Sequence, residues 1–143
     1  MCRHVWSLSI PLAASIFVFV AGCGQNPVTE PLSDGVLGTF VAKGDTFKVW
    51  ITEAQARADV VAVWNGESNK SIPDGKLNAG PGILEYNAPW AWHIDQDDIA
   101  MVSLASEECD ATPTEVEADL AEWVNEKGRL CPSGSTLIFL ESL

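Results

Sequence analysis

The sequence has 143 residues, 20% of them charged, a length and composition typical of one globular domain rather than a disordered or coiled-coil chain. Acidic residues number 20 against 8 Lys and Arg, which gives a formal net charge of −12. Binding to nucleic acid or attraction to anionic lipid head groups needs clustered basic side chains, and the sequence has no such cluster.

The first 22 residues have the layout of an export signal, in which a basic start precedes an apolar run over residues 10–21. That run is shorter than the roughly 20 residues of a membrane span. It ends in Val20-Ala21-Gly22-Cys23, which resembles the bacterial lipobox. The resemblance implies that cleavage follows Gly22 and that Cys23 carries a diacylglyceryl group. The alternative is an ordinary secretory signal that ends by chance in a cysteine.

The residues that follow Cys23 predict a flexible tether, because residues 24–38 contain prolines and glycines and little to bury. We therefore expect a signal peptide at 1–22, a lipidated cysteine and tether at 23–38, and one domain over 39–143. The expected partner is the membrane, reached through the lipid anchor. Gly24, rather than an aspartate, follows the lipid cysteine, which favours an extracytoplasmic position on the outer membrane or cell surface.

A strand and a helix are predicted at the start of the domain. Apolar and polar residues alternate over 47–51, as in a strand with one buried face. Thr52 and Gln55 fit a capping box, and apolar residues then recur at helical spacing up to Trp64 before Asn65-Gly66. Trp64 lies on the apolar stripe and is expected to anchor the core.

The connection of about twenty residues after this helix allows two interpretations. It is either a functional loop or a pair of short strands around a turn such as Pro73-Asp74-Gly75. Further strands are predicted at 101–105 and over the final residues, 135–143.

A second helix is predicted from a capping box of Thr112 and Glu115 with Pro113 at the first helical position. Its apolar face includes Trp123, which is expected to lie in the core, and Gly128 ends it. Helices interleaved with strands indicate a small α+β domain, with a mostly antiparallel sheet and two helices on one face.

Two cysteines, Cys109 and Cys131, remain once the signal and the lipid site are set aside. In an exported chain they are expected to form a disulfide. Free thiols or metal ligands are the alternative, but the partner residues of a zinc site are missing. We expect no metal and no cofactor.

The stretch YNAPWAWHIDQDDIAM at residues 86–101 is the strongest candidate site. In a strand, Trp90, Trp92 and Ile94 would share one face, with His93 and Asp95 on the other. His93 beside Asp95 would suit a general base, or a metal site completed by the later aspartates. The candidate ligand-binding residues are Tyr86, Asn87, Trp90, Trp92, His93 and Asp95.

A structural role for the same residues is the preferred interpretation. The tryptophans would then fill the core, His93 would hydrogen-bond to a loop backbone, and Asp95 would cap the turn at 95–98. No nucleophile motif, second histidine or calcium-binding loop accompanies the stretch. No catalytic residue is therefore assigned.

Five segments in this order, FKVWIT, IPDGKL, NAPWAWHID, ECDATPTEVE and LCPSG, resemble a family of small secreted domains of uncharacterised function. The family also occurs in the N-terminal part of a slime-mould protein described as calmodulin-binding. Gln96 and Ser133 depart from its pattern, in which a proline and an aromatic residue are common at these places. The resemblance supports the fold and the disulfide, and implies no reaction.

The expected function is a membrane-anchored, non-catalytic binding or scaffolding domain whose ligand is a protein, peptide or glycan. The alternatives are a metal-dependent module or hydrolase centred on His93 and the nearby aspartates, or a protease inhibitor.

Overall fold

The computed structural model describes residues 34–143. The predicted signal peptide, the predicted lipid site Cys23 and the tether up to residue 33 lie outside the described residues. Within residues 34–143, no helix is long and apolar enough to cross a membrane.

The described residues form strands, helices and two short helical turns. The strands are β1 (Val36–Ala42), β2 (Asp45–Ile51), β3 (Ile72–Ala79), β4 (Trp92–Val102), β5 (Arg129–Leu130) and β6 (Thr136–Ser142). The helices are α1 (Ala54–Trp64), α2 (Pro113–Ala118) and α3 (Leu120–Glu122), with a 3-10 turn at Ile83–Glu85 and a π-helical turn at Trp123–Lys127.

The strands form two antiparallel three-stranded sheets, ordered β2-β1-β6 and β4-β3-β5. The predicted α+β class and antiparallel pairing are confirmed. The prediction of a single sheet was wrong, because among residues 34–143 β1 pairs with β2 and β6, while β3 and β4 pair with each other.

The sheets share one hydrophobic core. Phe40 and Phe47 stack at 5.7 Å between ring centroids, and Phe47 reaches Trp92 of the other sheet at 6.0 Å. All three side chains are at most 1% exposed, so this aromatic row joins the sheets through desolvated contact.

The domain begins earlier than the sequence predicts. Strand β1 starts at Val36 rather than near Thr39, and Val36 and Leu37 are both buried. Gly35 and Gly38 flank these two residues, and this composition is typical of a flexible tether. Val36 pairs with Ile51 on one side and Ser142 on the other, and Leu143 N–H donates to Gly35 O at 3.4 Å.

Helix α1 has a different cap from the predicted one. The Glu53 carboxylate accepts a hydrogen bond from Ala56 N at 2.6 Å, whereas the Thr52 hydroxyl donates to Gln96 O at 2.9 Å. The prediction that Trp64 anchors the core was wrong, since its side chain is 49% exposed. The helix buries only the side that carries Ala56 and Val60.

Strand β3 occupies part of the long connection whose structure was left open. The predicted turn residues Pro73-Asp74-Gly75 lie inside this strand. Proline has no N–H to donate to a neighbouring strand. It is tolerated at position 73 because β5, on that side of β3, reaches only Gly75 and Lys76. The predicted strand at 101–105 is the end of β4, which stops at Val102.

The capping box before α2 is confirmed, with Thr112 accepting from Glu115 N and Glu115 accepting from Thr112 N. The helix breaks at Asp119, where φ is −126° and ψ is 43°, and continues through α3 and the π-helical turn to Gly128. Trp123 packs against the core while partly buried. The Cys109–Cys131 disulfide is present, with the Cα atoms 5.1 Å apart.

Candidate functional site

The alternation of faces along the first residues of β4 follows the prediction. Trp92 and Ile94 are fully buried in the core, whereas His93 and Asp95 are partly exposed on the other face. Trp90 precedes the strand, and its ring packs against Trp92 at a tilt of 34° with 5.9 Å between ring centroids. The predicted site residues are therefore close together, but they point in opposite directions.

A loop at residues 80–91, hereafter the bridging loop, connects β3 to β4 and crosses to the other sheet. Asn87 accepts from Lys48 N and donates to Trp92 O, both at 2.8 Å. Trp90 Nε1 donates to Thr46 O at 2.9 Å. Side chains of the bridging loop thus bind backbone groups on the edge of β2 that no strand among residues 34–143 pairs.

Tyr86 lies at the base of the bridging loop. Its ring meets Trp50 and His93 edge-on, at 6.5 and 6.1 Å, and its hydroxyl donates to Ile94 O at 3.2 Å. Burial raises the pKa of the Tyr86 phenol because the charged phenolate would lose its hydration. The ring is a support for the surface rather than an exposed contact.

His93 holds the start of the bridging loop. Its Nδ1 lies 2.7 Å from Gly80 O, and since a carbonyl oxygen only accepts, Nδ1 carries the proton and donates it. This contact is the loop-backbone hydrogen bond expected of a structural histidine.

Asp95 is bound to partners other than His93. It accepts from Asp97 N at 3.0 Å and from the Asn78 side-chain amide at 3.1 Å. The hydrogen bond from Asp97 N is the main reason that the pKa of this carboxyl lies below its usual value. His93 and Asp95 therefore do not show the hydrogen-bonded pairing of an oriented general base.

Residues 95–98 form an excursion from β4, since Ile94 pairs with Leu77 and Ile99 pairs with Gly75. Gln96 O accepts from Thr52 N at 3.0 Å and from Glu53 N at 3.2 Å. A side chain at position 75 would collide with this excursion, because its Cβ would lie 2.3 Å from Ile94 Cγ2 and 2.8 Å from Asp98 O. The acidic residues at 95–98 are thus a structural bulge that meets the start of α1.

The metal interpretation of the aspartates has no geometric support within residues 34–143, where no group of three His, Cys, Asp or Glu side chains is arranged to hold an ion. Asp98 instead pairs with Arg129 at 3.0 Å.

Three of the six candidate ligand-binding side chains have almost no accessible surface. Trp92 is fully buried, Asn87 is 1% exposed and Tyr86 is 8% exposed. A ligand at this place would meet the surface of the bridging loop, and these residues would hold that surface in shape.

The exposed tip of the bridging loop was not predicted from the sequence. Ile83 and Leu84 are 53% and 51% exposed, and Leu84 and Glu85 have left-handed backbones with φ of 56° and 53°. Two successive left-handed residues other than glycine are rare and unfavourable. Gly82, at φ 83°, allows the tip to form, because a Cβ there would lie 2.3 Å from the Tyr86 ring. The Gly80-Pro81-Gly82 run before two aliphatic residues was the available signal.

Nothing in the sequence indicated a small cleft of about 160 Å³ beside the disulfide. Its walls include Asp74, Glu108, Cys109, Lys127 and Arg129. Arg129 bonds to Asp74 at 3.1 Å and to Asp98 at 3.0 Å, so its charge is already compensated within the protein.

Comparison with known proteins gives a family and no individual relative. No curated protein matches the chain, and no solved structure matches it. The family model described as the BP-74 N-terminal domain matches residues 36–142, a span that begins with β1 and ends with β6. The chain therefore belongs to the BP-74 N-terminal domain family.

Proposed function

We propose that this protein is a membrane-anchored lipoprotein of the outer membrane or cell surface. Its folded domain is a non-catalytic binding module that engages a protein partner through the tip of the bridging loop. Anchoring at Cys23 and export of the domain are parts of the same proposal and rest on the lipobox-like sequence before Cys23.

The observation that supports binding is the conformation of Ile83-Leu84. Both aliphatic side chains are about half exposed, and the left-handed backbone at Leu84 and Glu85 costs free energy that the tip does not recover by burial. Asn87, Trp90 and His93 hold the rest of the loop. An ordered tip that stays exposed is pre-organised for a partner.

The chemistry of the tip favours a protein or peptide partner over a glycan. Sugars stack on exposed aromatic rings, but the aromatic rings of this region are mostly engaged in the protein interior. Exposed apolar side chains such as those of Ile83 and Leu84 mark contact sites for other proteins.

Two other functions are less well supported. Proteases bind extended strands, whereas the segment Ile83–Glu85 is a tight turn with a left-handed backbone at Leu84. Calmodulin, which a slime-mould protein with a similar domain is described as binding, takes basic amphipathic helices. In this chain α1 carries a single basic residue, Arg57, and α2 carries none.

Photocrosslinking on intact cells tests the binding proposal. A photoreactive amino acid at position 83 should give a discrete crosslinked product, while the same residue at position 104 should not. Leu104 is a matched control, because it is an aliphatic residue 83% exposed elsewhere on the surface.

The variant Leu84→Asn sharpens this test, because asparagine tolerates a left-handed backbone better than leucine does. It should keep or slightly raise the melting temperature and abolish the crosslink from position 83. Equal crosslinking from positions 83 and 104, or an unchanged product in Leu84→Asn, would reject the tip as the binding surface.

A further inference from the structure

Helix α1 carries apolar side chains on part of its exposed surface as well as on its buried side. Ala56 and Val60 face the core. The side next to it carries Ala54, Ala58, Val61 and Trp64, which are all exposed and are hereafter the outer face of α1. Val61 is 40% exposed and Trp64 is 49% exposed. The helix also carries Gln55, Arg57 and Asp59, but exposed apolar side chains grouped on one side of a helix mark a contact surface. Within residues 34–143 nothing covers this face.

The chain enters the domain beside this face. Arg57 Nη1 donates to Asp34 O at 3.1 Å. Arg57 lies four residues before Val61 and seven before Trp64, which places the three side chains along one side of the helix. Asp34, the first described residue, is thus next to the outer face of α1.

We infer that the outer face of α1 rests on the surface of the lipid bilayer to which the protein is anchored. This inference depends on the lipid anchor at Cys23 proposed above. The ten residues between Cys23 and Asp34 span at most roughly 35 Å at about 3.3 Å per residue. The domain is therefore held near the bilayer and can turn the side where the chain enters towards it.

The composition of the face fits the interfacial region of a membrane. Tryptophan favours the head-group level, where its ring is partly buried and its N–H is hydrated. Tethering raises the effective concentration of the bilayer, so a contact of this small area is sufficient. The formal net charge of −12 favours zwitterionic over anionic lipid.

A second copy of the chain is the other occupant that an apolar helix face would suit. Two domains of this acidity repel each other, and the entry of the tether beside the face favours lipid. Self-association is therefore an outcome that the experiment must detect.

Fluorescence quenching of the full lipidated chain tests the contact. The protein is reconstituted on phosphatidylcholine vesicles whose acyl chains carry bromine close to the head groups, where it quenches tryptophans at the membrane interface. Of the six tryptophans, Trp6 lies in the predicted signal peptide, which leaves five that can report. Wild type should lose part of its emission relative to unbrominated vesicles. Trp64→Phe should lose none, and Trp123→Phe should behave as wild type.

The outcomes separate the contact from the anchor. Vesicle-bound protein with the same quenching in wild type and Trp64→Phe overturns the contact and leaves the anchor standing. Wild-type protein that does not float with vesicles overturns both. A second copy covers the face if the molar mass of the protein rises with its concentration and returns to that of the monomer in Val61→Asp. This result also overturns the contact with the bilayer.

Discussion

Asn87 illustrates how much of the fold depends on a single side chain. Its amide is 1% exposed and joins Lys48 N on one sheet to Trp92 O on the other. No aliphatic residue of similar size could satisfy both a donor and an acceptor there. The position therefore demands an amide.

Replacing Asn87 should lower the free energy of unfolding more than replacing His93. We expect Asn87→Ala to lower the free energy of unfolding by about 3 kcal/mol, because it leaves two backbone groups without their partner. His93→Ala removes one hydrogen bond and should cost about 1 kcal/mol. Urea denaturation of both variants measures the difference. Equal losses would show that Asn87 does not join the sheets in this way.

Tyr86 is the only tyrosine in the sequence, so its ionisation can be followed by the ultraviolet absorbance of the phenolate. Its pKa is raised by burial in the folded state, while in the unfolded chain it is about 10. The stabilisation from the neutral phenol is complete below roughly pH 10 and is lost as pH rises above it. Phenolate should therefore appear together with unfolding.

The Tyr86→Phe variant is the control for this titration. It should lose about 1 kcal/mol at neutral pH, because the hydroxyl no longer donates to Ile94 O. Its stability should also fall less steeply above pH 10. A wild-type phenolate signal near pH 10 in protein that is still folded would contradict the burial of this ring.

At the level of secondary structure, features that depend on neighbouring residues were predictable. The capping box at Thr112 and the alternating faces of residues 92–95 follow from spacing within a few residues. The turn at 95–98 and its cap by Asp95 were also predicted, and Asp97 N donates to Asp95 as expected. Its place as a bulge in the pairing of β4 with β3 was not predictable, since the register of two strands distant in sequence sets it. The tip at Leu84 was missed although its hydrogen bonds are local, such as that from Glu85 N to Gly82 O at 3.0 Å, because leucine rarely adopts a left-handed backbone.

The excursion gives the domain a specific response to acid. The pKa of Asp95 is lowered in the folded state, chiefly by the hydrogen bond from Asp97 N. The unfolded chain therefore binds a proton more readily, and this stabilisation is present above about pH 4 and lost as pH falls further. Asp95→Asn should show a shallower fall in melting temperature between about pH 5 and pH 2. Parallel curves for the two proteins would contradict this role.

At the scale of the whole molecule, the disulfide closes a loop with a sequence separation of 22 around α2, α3 and the π-helical turn. Cys131 N also donates to Cys109 O at 2.7 Å. We expect the double replacement Cys109→Ser and Cys131→Ser to lower the free energy of unfolding by about 3 kcal/mol, mainly through the greater freedom of the unfolded chain.

Urea denaturation under non-reducing conditions measures this loss. Adding reductant should bring the wild type to the stability of the double variant and leave the double variant unchanged. A double variant as stable as the oxidised wild type would show that the loop is already held by its other contacts.

The proposed lipid anchor leads to a separate prediction. Cys23→Ser should move the protein from the membrane fraction to the soluble fraction and remove the mass of the acyl groups. Fractionation followed by mass spectrometry checks both effects. A variant that stays with the membrane at the wild-type mass would reject the anchor.

The hydrogen bond from Leu143 N to Gly35 O has a consequence for protein engineering. The two ends of the folded unit lie side by side, so a short linker could join them without disturbing β1 or β6. New termini could be opened at the exposed Gly66, which follows α1 and has a φ of 74°. The same arrangement would let the domain be inserted into a surface loop of a host protein, because its adjacent ends would keep the two ends of that loop close together.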